Sequence, residues 1–147
     1  MSDILCAIRA GEGSRAVQNA AIDEVRRQHG GLIFLYVVDH RILEASDDSV
    51  RASVRSELYW MGRTLLRIAV AGAHAAGLPN VAWIIEEGEV GQEIARAVVA
   101  HDARMLFMGA SRPGNSHGPR SAAALADRLR DTTGVVVKVI FPPAVDG

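Results

Sequence analysis

The chain has 147 residues, of which 49% are hydrophobic and 22% are charged, a composition typical of one globular domain that excludes intrinsic disorder as the default. A formal net charge of -1 argues against general nucleic-acid binding, which needs a basic surface. The single cysteine, Cys6, excludes an intramolecular disulfide, and no apolar run approaches the roughly 20 residues that span a bilayer, so we expect a cytoplasmic protein with no membrane partner.

Five short apolar runs predict β-strands. Their sequences are ILCAI (4–8), GLIFLYVV (31–38), VAWIIEE (81–87), RMLFMGA (104–110) and VVVKVIF (135–141). The second, fourth and fifth are almost continuously apolar, as expected for strands of a parallel sheet that is covered on both faces.

Helical patterns separate these runs, at residues 14–28, 47–76, 90–102 and 121–132. The buried stripe predicted for the long second helix consists of Leu58, Met61, Leu65, Ile68, Gly72 and Ala76. Trp60 in this helix and Trp83 in the third strand are predicted to be packing residues. Of Glu86, Glu87 and Glu89, which follow the third strand, one is predicted to cap the next helix.

Strict alternation of strand and helix predicts an α/β three-layer sandwich, in which an open five-stranded parallel sheet carries helices on both faces. In such sheets ligands bind beyond the carboxyl ends of the strands, where the strand order reverses. The loop GASRPGNSHGPRS (109–121) leaves the fourth strand at that edge. Its position makes it a candidate phosphate site.

The composition of this loop is open to two interpretations. Its glycines leave backbone N–H groups accessible to a phosphate, and Arg112, His117 and Arg120 supply positive charge. Exposed loops are rich in the same residue types, however, and Ser121 is then only the N-cap of the following helix. The lysine and adjacent hydroxyl of a P-loop are absent from this stretch.

Several stretches together resemble the universal stress protein family. They are ILCAI followed by GEGSRAVQNA, then GLIFLYVVD, EEGEVGQEIARAVVAHDARMLFMGASR and GVVVKVI. The resemblance implies a strand order of 3-2-1-4-5 and, commonly, a dimer paired through the fifth strand. In one branch of the family it also implies ATP bound by a motif of the form G-x2-G-x9-G-(S/T).

The family's ATP motif is only partly present in this chain. Its first glycine matches Gly109, and its second falls on Arg112, although Gly114 could serve if the loop is rearranged. Its closing Gly-Ser/Thr pair falls around Arg120 and Ser121. The first-strand aspartate of the family is Arg9 here, which replaces an acceptor by a donor-only cation. With the residues that follow the second strand, the candidate nucleotide site is Arg9, Val37, Val38, Gly109, Ser111, Arg112, Gly114, Gly118, Arg120 and Ser121.

These departures favour a stress-response regulatory or binding protein whose modified pocket binds ATP, or another adenine nucleotide, weakly or not at all. In a second interpretation, Arg9 and the loop arginines form a different anion site. The alternative function is an ATP-binding universal stress protein with slow nucleotide hydrolysis or phosphate transfer. No nucleophile has a general base beside it in the sequence, which argues against catalysis.

The fifth strand is predicted to lie at a sheet edge, where a long β-branched strand promotes association unless it is paired. We therefore expect a homodimer through residues 135–141, burying Val135, Val137 and Val139 or their neighbours. The domain is expected to span residues 1–141, and residues 142–147 form a short tail.

Overall fold

A computed structural model describes residues 3–9, 14–110 and 121–142 of the chain. The strands are β1 (Ile4–Ile8), β2 (Leu32–Asp39), β3 (Val81–Gly88), β4 (Met105–Gly109) and β5 (Val136–Ile140). The helices are α1 (Ser14–Gln28), α2 (His40–Ala45), α3 (Arg51–Ala75), α4 (Val90–Ala100) and α5 (Ala122–Thr133).

All five strands pair in parallel in the order β3-β2-β1-β4-β5, which confirms the predicted architecture. The central strand β1 pairs with β2, where Ile8 lies opposite Tyr36, and with β4, where Cys6 lies opposite Phe107. Its near-continuous burial reflects a position in the middle of the sheet with helices on both faces.

The two faces of the sheet form separate hydrophobic clusters. One cluster joins the sheet to α1, α2 and α3, and its largest fully buried side chains include Phe34, Leu43 and Leu66. The other joins the sheet to α4 and α5, with Leu35, Leu106 and Leu129 fully buried. Alternate residues of each strand supply the two clusters, as the period of a β-strand requires.

Helix α2 was not among the predicted elements. It begins because the Asp39 carboxylate accepts a hydrogen bond from the backbone N–H of Arg41, at 2.9 Å. Its carboxyl end is fixed by the guanidinium of Arg51, which donates to the carbonyls of Leu43 and Ser46 at 2.9 and 3.0 Å. Six residues are too few to show a helical period in the sequence.

The buried stripe predicted for the long helix is only partly correct. Leu58, Leu65 and Ala76 are half-buried against the core, but the other three predicted residues, Met61, Ile68 and Gly72, are exposed. The residues of α3 that are buried against the sheet are Gly62, Leu66, Ala69 and Ala73, whereas Ile68 is 59% exposed and Met61 is 37% exposed. A Cβ atom at Gly62 would lie 2.5 Å from Cδ1 of Tyr36. At Gly62 the helix therefore lies so close to the sheet that a side chain larger than hydrogen does not fit without a shift.

The packing role predicted for Trp60 is also wrong, because 66% of this side chain is exposed on the outer side of α3. Trp83, on the edge strand β3, is partly covered and is 43% exposed. Both tryptophans lie on elements that border solvent, where an aromatic residue is not forced into a core.

At the β5 edge of the sheet, Val135 and Val137 are buried against the cluster under α4 and α5. They are core residues of the single chain, so they are not available to a second chain. The exposed large apolar residues at this edge are Val136 and Phe141. They are sequence neighbours of the valines named for the dimer interface, and the prediction included such neighbours.

Candidate functional site

A crevice lies at the carboxyl ends of β1 and β4, the point where the strand order reverses. The helix after β1 covers one face of the sheet and the helix after β4 covers the other, so the two chain segments diverge there and leave an opening. Its lining residues are Ala7, Ile8, Arg9, Ser14, Val17, Gly109 and Ala110. Two of the sequence-predicted site residues, Arg9 and Gly109, are thus brought together.

Gly109 has a packing role in this crevice. A Cβ atom at this position would lie 3.0 Å from Cγ2 of Val17 on α1 and 3.9 Å from the carbonyl oxygen of Ile140. The missing side chain therefore allows α1 to approach the end of β4. This explains the glycine through helix–strand packing, without reference to a ligand.

Arg9 supplies the one charged side chain among the described residues that line the crevice. Arg9 is an exposed cation at its mouth, and the first turn of α1, which starts at Ser14, contains no acidic residue. The amino terminus of a helix carries a partial positive charge. The hydroxyl of Ser14 accepts a hydrogen bond from the Gln18 side-chain amide at 3.1 Å, so it retains a proton that it can donate.

The backbone beyond β4 offers less to an anion than the sequence suggested. The N–H of Ala110 donates to the carbonyl oxygen of Ile140 at 2.9 Å, and this bond extends the β4–β5 pairing by one residue. That N–H is consequently used within the sheet.

Ser121 is the N-cap of α5, and its hydroxyl oxygen accepts from the N–H of Ala124 at 3.1 Å. The capping interpretation of this residue is confirmed. An alcohol that accepts one bond can still donate its proton, so the capping role leaves phosphate binding possible.

The two valines near the end of β2 lie on opposite faces of the sheet. Val38 is fully buried in the cluster with α1 and α3, so its side chain is not available to a ligand. Val37 is partly buried on the α4 and α5 face. Neither residue lines the crevice between β1 and β4.

The remaining predicted site residues, Ser111, Arg112, Gly114, Gly118 and Arg120, lie outside the described residues. The sequence reasoning missed five lining residues, Ala7, Ile8, Ser14, Val17 and Ala110. The sequence signal that could have identified them is their position, because they lie next to the ends of the two strands between which the strand order reverses.

The carboxylates that follow β3 are engaged in structural contacts. Glu89 caps α4 by accepting from the N–H of Gln92 at 2.8 Å, and it also accepts from Arg128 at 2.6 Å, which confirms the predicted cap. Burial by itself raises the pKa of Glu89, but these hydrogen bonds outweigh it, so the pKa lies below its ordinary value. Glu87 forms a salt bridge with Arg55 at 3.0 Å.

Within residues 3–9, 14–110 and 121–142, no group of His, Cys, Asp and Glu side chains has the arrangement needed to hold a metal ion. Over the same ranges, no helix is both long enough and apolar enough to cross a bilayer. Burial raises the pKa of the Cys6 thiol, so this cysteine has the properties of a core residue.

The family model described as "Universal stress protein family" matches residues 1–129. Comparison with curated protein sequences gives no match.

Among solved structures, the chain is similar to universal stress protein UspA from Lactobacillus plantarum, with a TM-score of 0.78, 19% identity, and coverage of 95% of this chain and 97% of that one. It is also similar to the universal stress protein from Archaeoglobus fulgidus in complex with dAMP, with a TM-score of 0.68, 14% identity, and coverage of 95% and 98%. A universal stress protein in complex with cAMP gives a TM-score of 0.65, 13% identity, and coverage of 97% and 98%.

Proposed function

Because the chain belongs to the universal stress protein family, we propose that it is a cytoplasmic, homodimeric stress-response binding protein whose nucleotide pocket is modified and binds ATP weakly or not at all. The site of any nucleotide is the crevice between β1 and β4, together with the loop that joins Gly109 to Ser121.

The observation that carries this proposal is Arg9 at the mouth of the crevice. The family resemblance implies an aspartate there, which accepts hydrogen bonds from a nucleotide, whereas a guanidinium only donates. The engaged N–H of Ala110 and the buried Val38 side chain also support a reduced site.

Adenine nucleotides remain the natural ligands to test, since the family members with bound dAMP and cAMP have a similar fold. Calorimetric titration of the purified protein with ATP, AMP and cAMP measures this directly. We expect dissociation constants for ATP weaker than about 100 µM, which corresponds to a binding free energy smaller than about 5.5 kcal/mol. Tighter ATP binding with magnesium-dependent turnover would instead favour the alternative function in hydrolysis or phosphate transfer.

The variant Arg9→Asp tests the cause of weak binding. Restoring a carboxylate at the mouth of the crevice is expected to tighten ATP binding by about tenfold or more, which is about 1.4 kcal/mol. The matched control is Arg26→Asp, which makes the same charge change at an exposed position in the last turn of α1. If both variants change ATP affinity equally, the effect is one of net charge and Arg9 is not the determinant.

The proposed dimer forms through β5. This strand is a sheet edge that pairs with β4. Its Val136 is 51% exposed, and Phe141, which directly follows the strand, is 62% exposed. An edge strand with exposed apolar side chains is prone to pair with another chain. Arg130 donates to the carbonyl of Val137 at 3.0 Å, so that guanidinium must share or release this acceptor when two β5 strands pair.

The dimer is tested by Val136→Asp. The control is Val99→Asp, because Val99 is also an exposed valine but lies on α4, away from β5. Light scattering after size-exclusion chromatography should give about twice the 15.7-kDa chain mass for the unmodified protein and for the control. The Val136→Asp variant should elute as a folded monomer. A monomeric unmodified protein, or a dimer that survives Val136→Asp, contradicts pairing through β5.

A further inference from the structure

The outer side of α3 carries large apolar side chains that the fold does not use. Because α3 directs Gly62 and Leu66 towards the sheet, Trp60 is left 66% exposed and Ile68 59% exposed. Trp60, Arg63, Arg67 and Ile68 have the spacing i, i+3, i+7 and i+8, which places them on one side of a helix. These four residues are the docking face.

This face is basic, although the chain as a whole has a formal net charge of -1. Helix α3 contains four arginines and a single acidic residue, Glu57. Arg55 pairs with Glu87 across to β3, whereas Arg63 and Arg67 are exposed and form no salt bridge with any described residue. Two guanidinium groups that form no ion pair within the described part of the chain thus share one side of α3 with an exposed tryptophan.

We propose that the docking face binds an acidic polypeptide segment of a partner protein. Apolar side chains of that segment pack on Trp60 and Ile68, and its carboxylates pair with Arg63 and Arg67. Tryptophan and arginine are the residue types most enriched at the energetic centres of protein interfaces. Arginine also forms planar, bidentate hydrogen bonds with carboxylates.

A second copy of the chain fits this face poorly. In an isologous contact both partners present the same surface, so two α3 helices would bring both pairs of Arg63 and Arg67 together, with only their two Glu57 carboxylates to compensate. A membrane surface fits poorly as well, because this face carries only two arginines, whereas segments that bind anionic lipids typically carry a cluster of about four to eight Lys or Arg residues.

The test uses the full chain labelled with ¹⁵N and a synthetic amphipathic 18-residue peptide in which leucines form one face and glutamates the other. We expect the indole N–H signal of Trp60 and the outward amides of α3 to shift on titration, while the Trp83 indole serves as an internal reference. The same peptide with lysine in place of glutamate should leave these signals unchanged. The absence of shifts on α3, or equal shifts with the lysine peptide, overturns the proposal.

Matched variants test which residues provide the binding. The double variant Arg63→Glu/Arg67→Glu and the single variant Trp60→Ala should each weaken peptide binding by about tenfold or more. The control Arg15→Glu/Arg26→Glu makes the same charge change at two exposed positions on α1 and should bind as the unmodified protein does. Because all of these side chains are exposed, the circular dichroism spectra should be unchanged. Equal weakening by both double variants overturns the proposal, since it would reflect net charge alone.

Two further measurements separate the other occupants. Co-sedimentation with vesicles of phosphatidylcholine and phosphatidylserine, lost on Trp60→Ala, would make a membrane the occupant and overturn the proposal. A change in the mass of the protein in solution caused by Trp60→Glu would make a second copy the occupant, with the same consequence. Neither effect is expected. These outcomes do not depend on nucleotide binding or on the β5 dimer.

Discussion

Replacing Gly62 by alanine is expected to destabilise the protein, although alanine is the better helix former. A Cβ atom at this position would lie 2.5 Å from Cδ1 of Tyr36 and 2.8 Å from Cδ1 of Ile85, well inside the separation of about 3.5–4.0 Å at which carbon atoms attract. The Tyr36 ring is itself buried and cannot easily move away. Overpacking of this kind typically costs about 1–3 kcal/mol.

The matched control is Gly72→Ala on the same helix, where an added Cβ atom meets nothing within 4 Å. There the substitution should stabilise the protein by about 1 kcal/mol, because alanine restricts the unfolded chain and favours the helix. Since both variants gain this helix propensity, the difference between their free energies of unfolding isolates the packing term, about 1–3 kcal/mol.

Guanidinium denaturation monitored by circular dichroism gives the two free energies of unfolding. The Gly62→Ala variant should be the less stable of the pair, with a transition midpoint lower by several degrees on heating as well. If the two variants are equally stable, α3 does not approach β2 and β3 as closely as the structure has it. The argument for the rotation of α3, and with it the docking face, would then be refuted.

Three other predictions concern single contacts. Ser121→Ala removes the N-cap of α5 and should lower the free energy of unfolding by about 1 kcal/mol; Ser53→Ala, at an exposed position on α3, should not. The pKa of Glu89 is lowered in the folded protein, so its stabilising contribution is present above its ordinary pKa and is lost as the pH falls towards the folded value. The stability difference between the unmodified protein and Glu89→Gln should therefore shrink on acidification; a difference that grows at low pH contradicts the reasoning. Cys6 is fully buried, so thiol reagents should label it only as fast as the chain opens, and rapid labelling under native conditions would contradict its place in the core.

The architecture could be predicted because its signals are local. Runs such as ILCAI and LIFLYVV are apolar without interruption, as expected for strands covered on both faces, and helical patterns alternate with them. The position of the candidate site followed from this order alone. Parallel strands end at a common edge, so the chain order puts Gly109 and Arg9 at the same edge of the sheet. Their closeness also requires β1 and β4 to be neighbours, which the family resemblance implied and the strand pairing shows.

The burial and the packing role of individual residues could not be predicted from the same patterns. Both Val37 and Val38 stand at the end of an apolar strand, yet the sheet turns Val38 into the core and leaves Val37 partly accessible. From the sequence alone, Gly109 is as compatible with a phosphate-binding loop as with a packing role. Its contact with Val17 on α1 gives it a packing role that depends on a distant element.

The sequence by itself determined the parallel sheet and the types and chain order of all its elements except the short helix α2, because hydrophobic periodicity acts over a few neighbouring residues. Only the tertiary structure decided the rotation of α3, since large residues at helical spacing suggest a buried stripe that includes Met61 and Ile68, while the close approach to Tyr36 requires glycine at position 62. The distance between a helix and the sheet it packs on depends on the side chains of both elements. For that reason Trp60 and Ile68 became surface residues, a result that no local pattern contains.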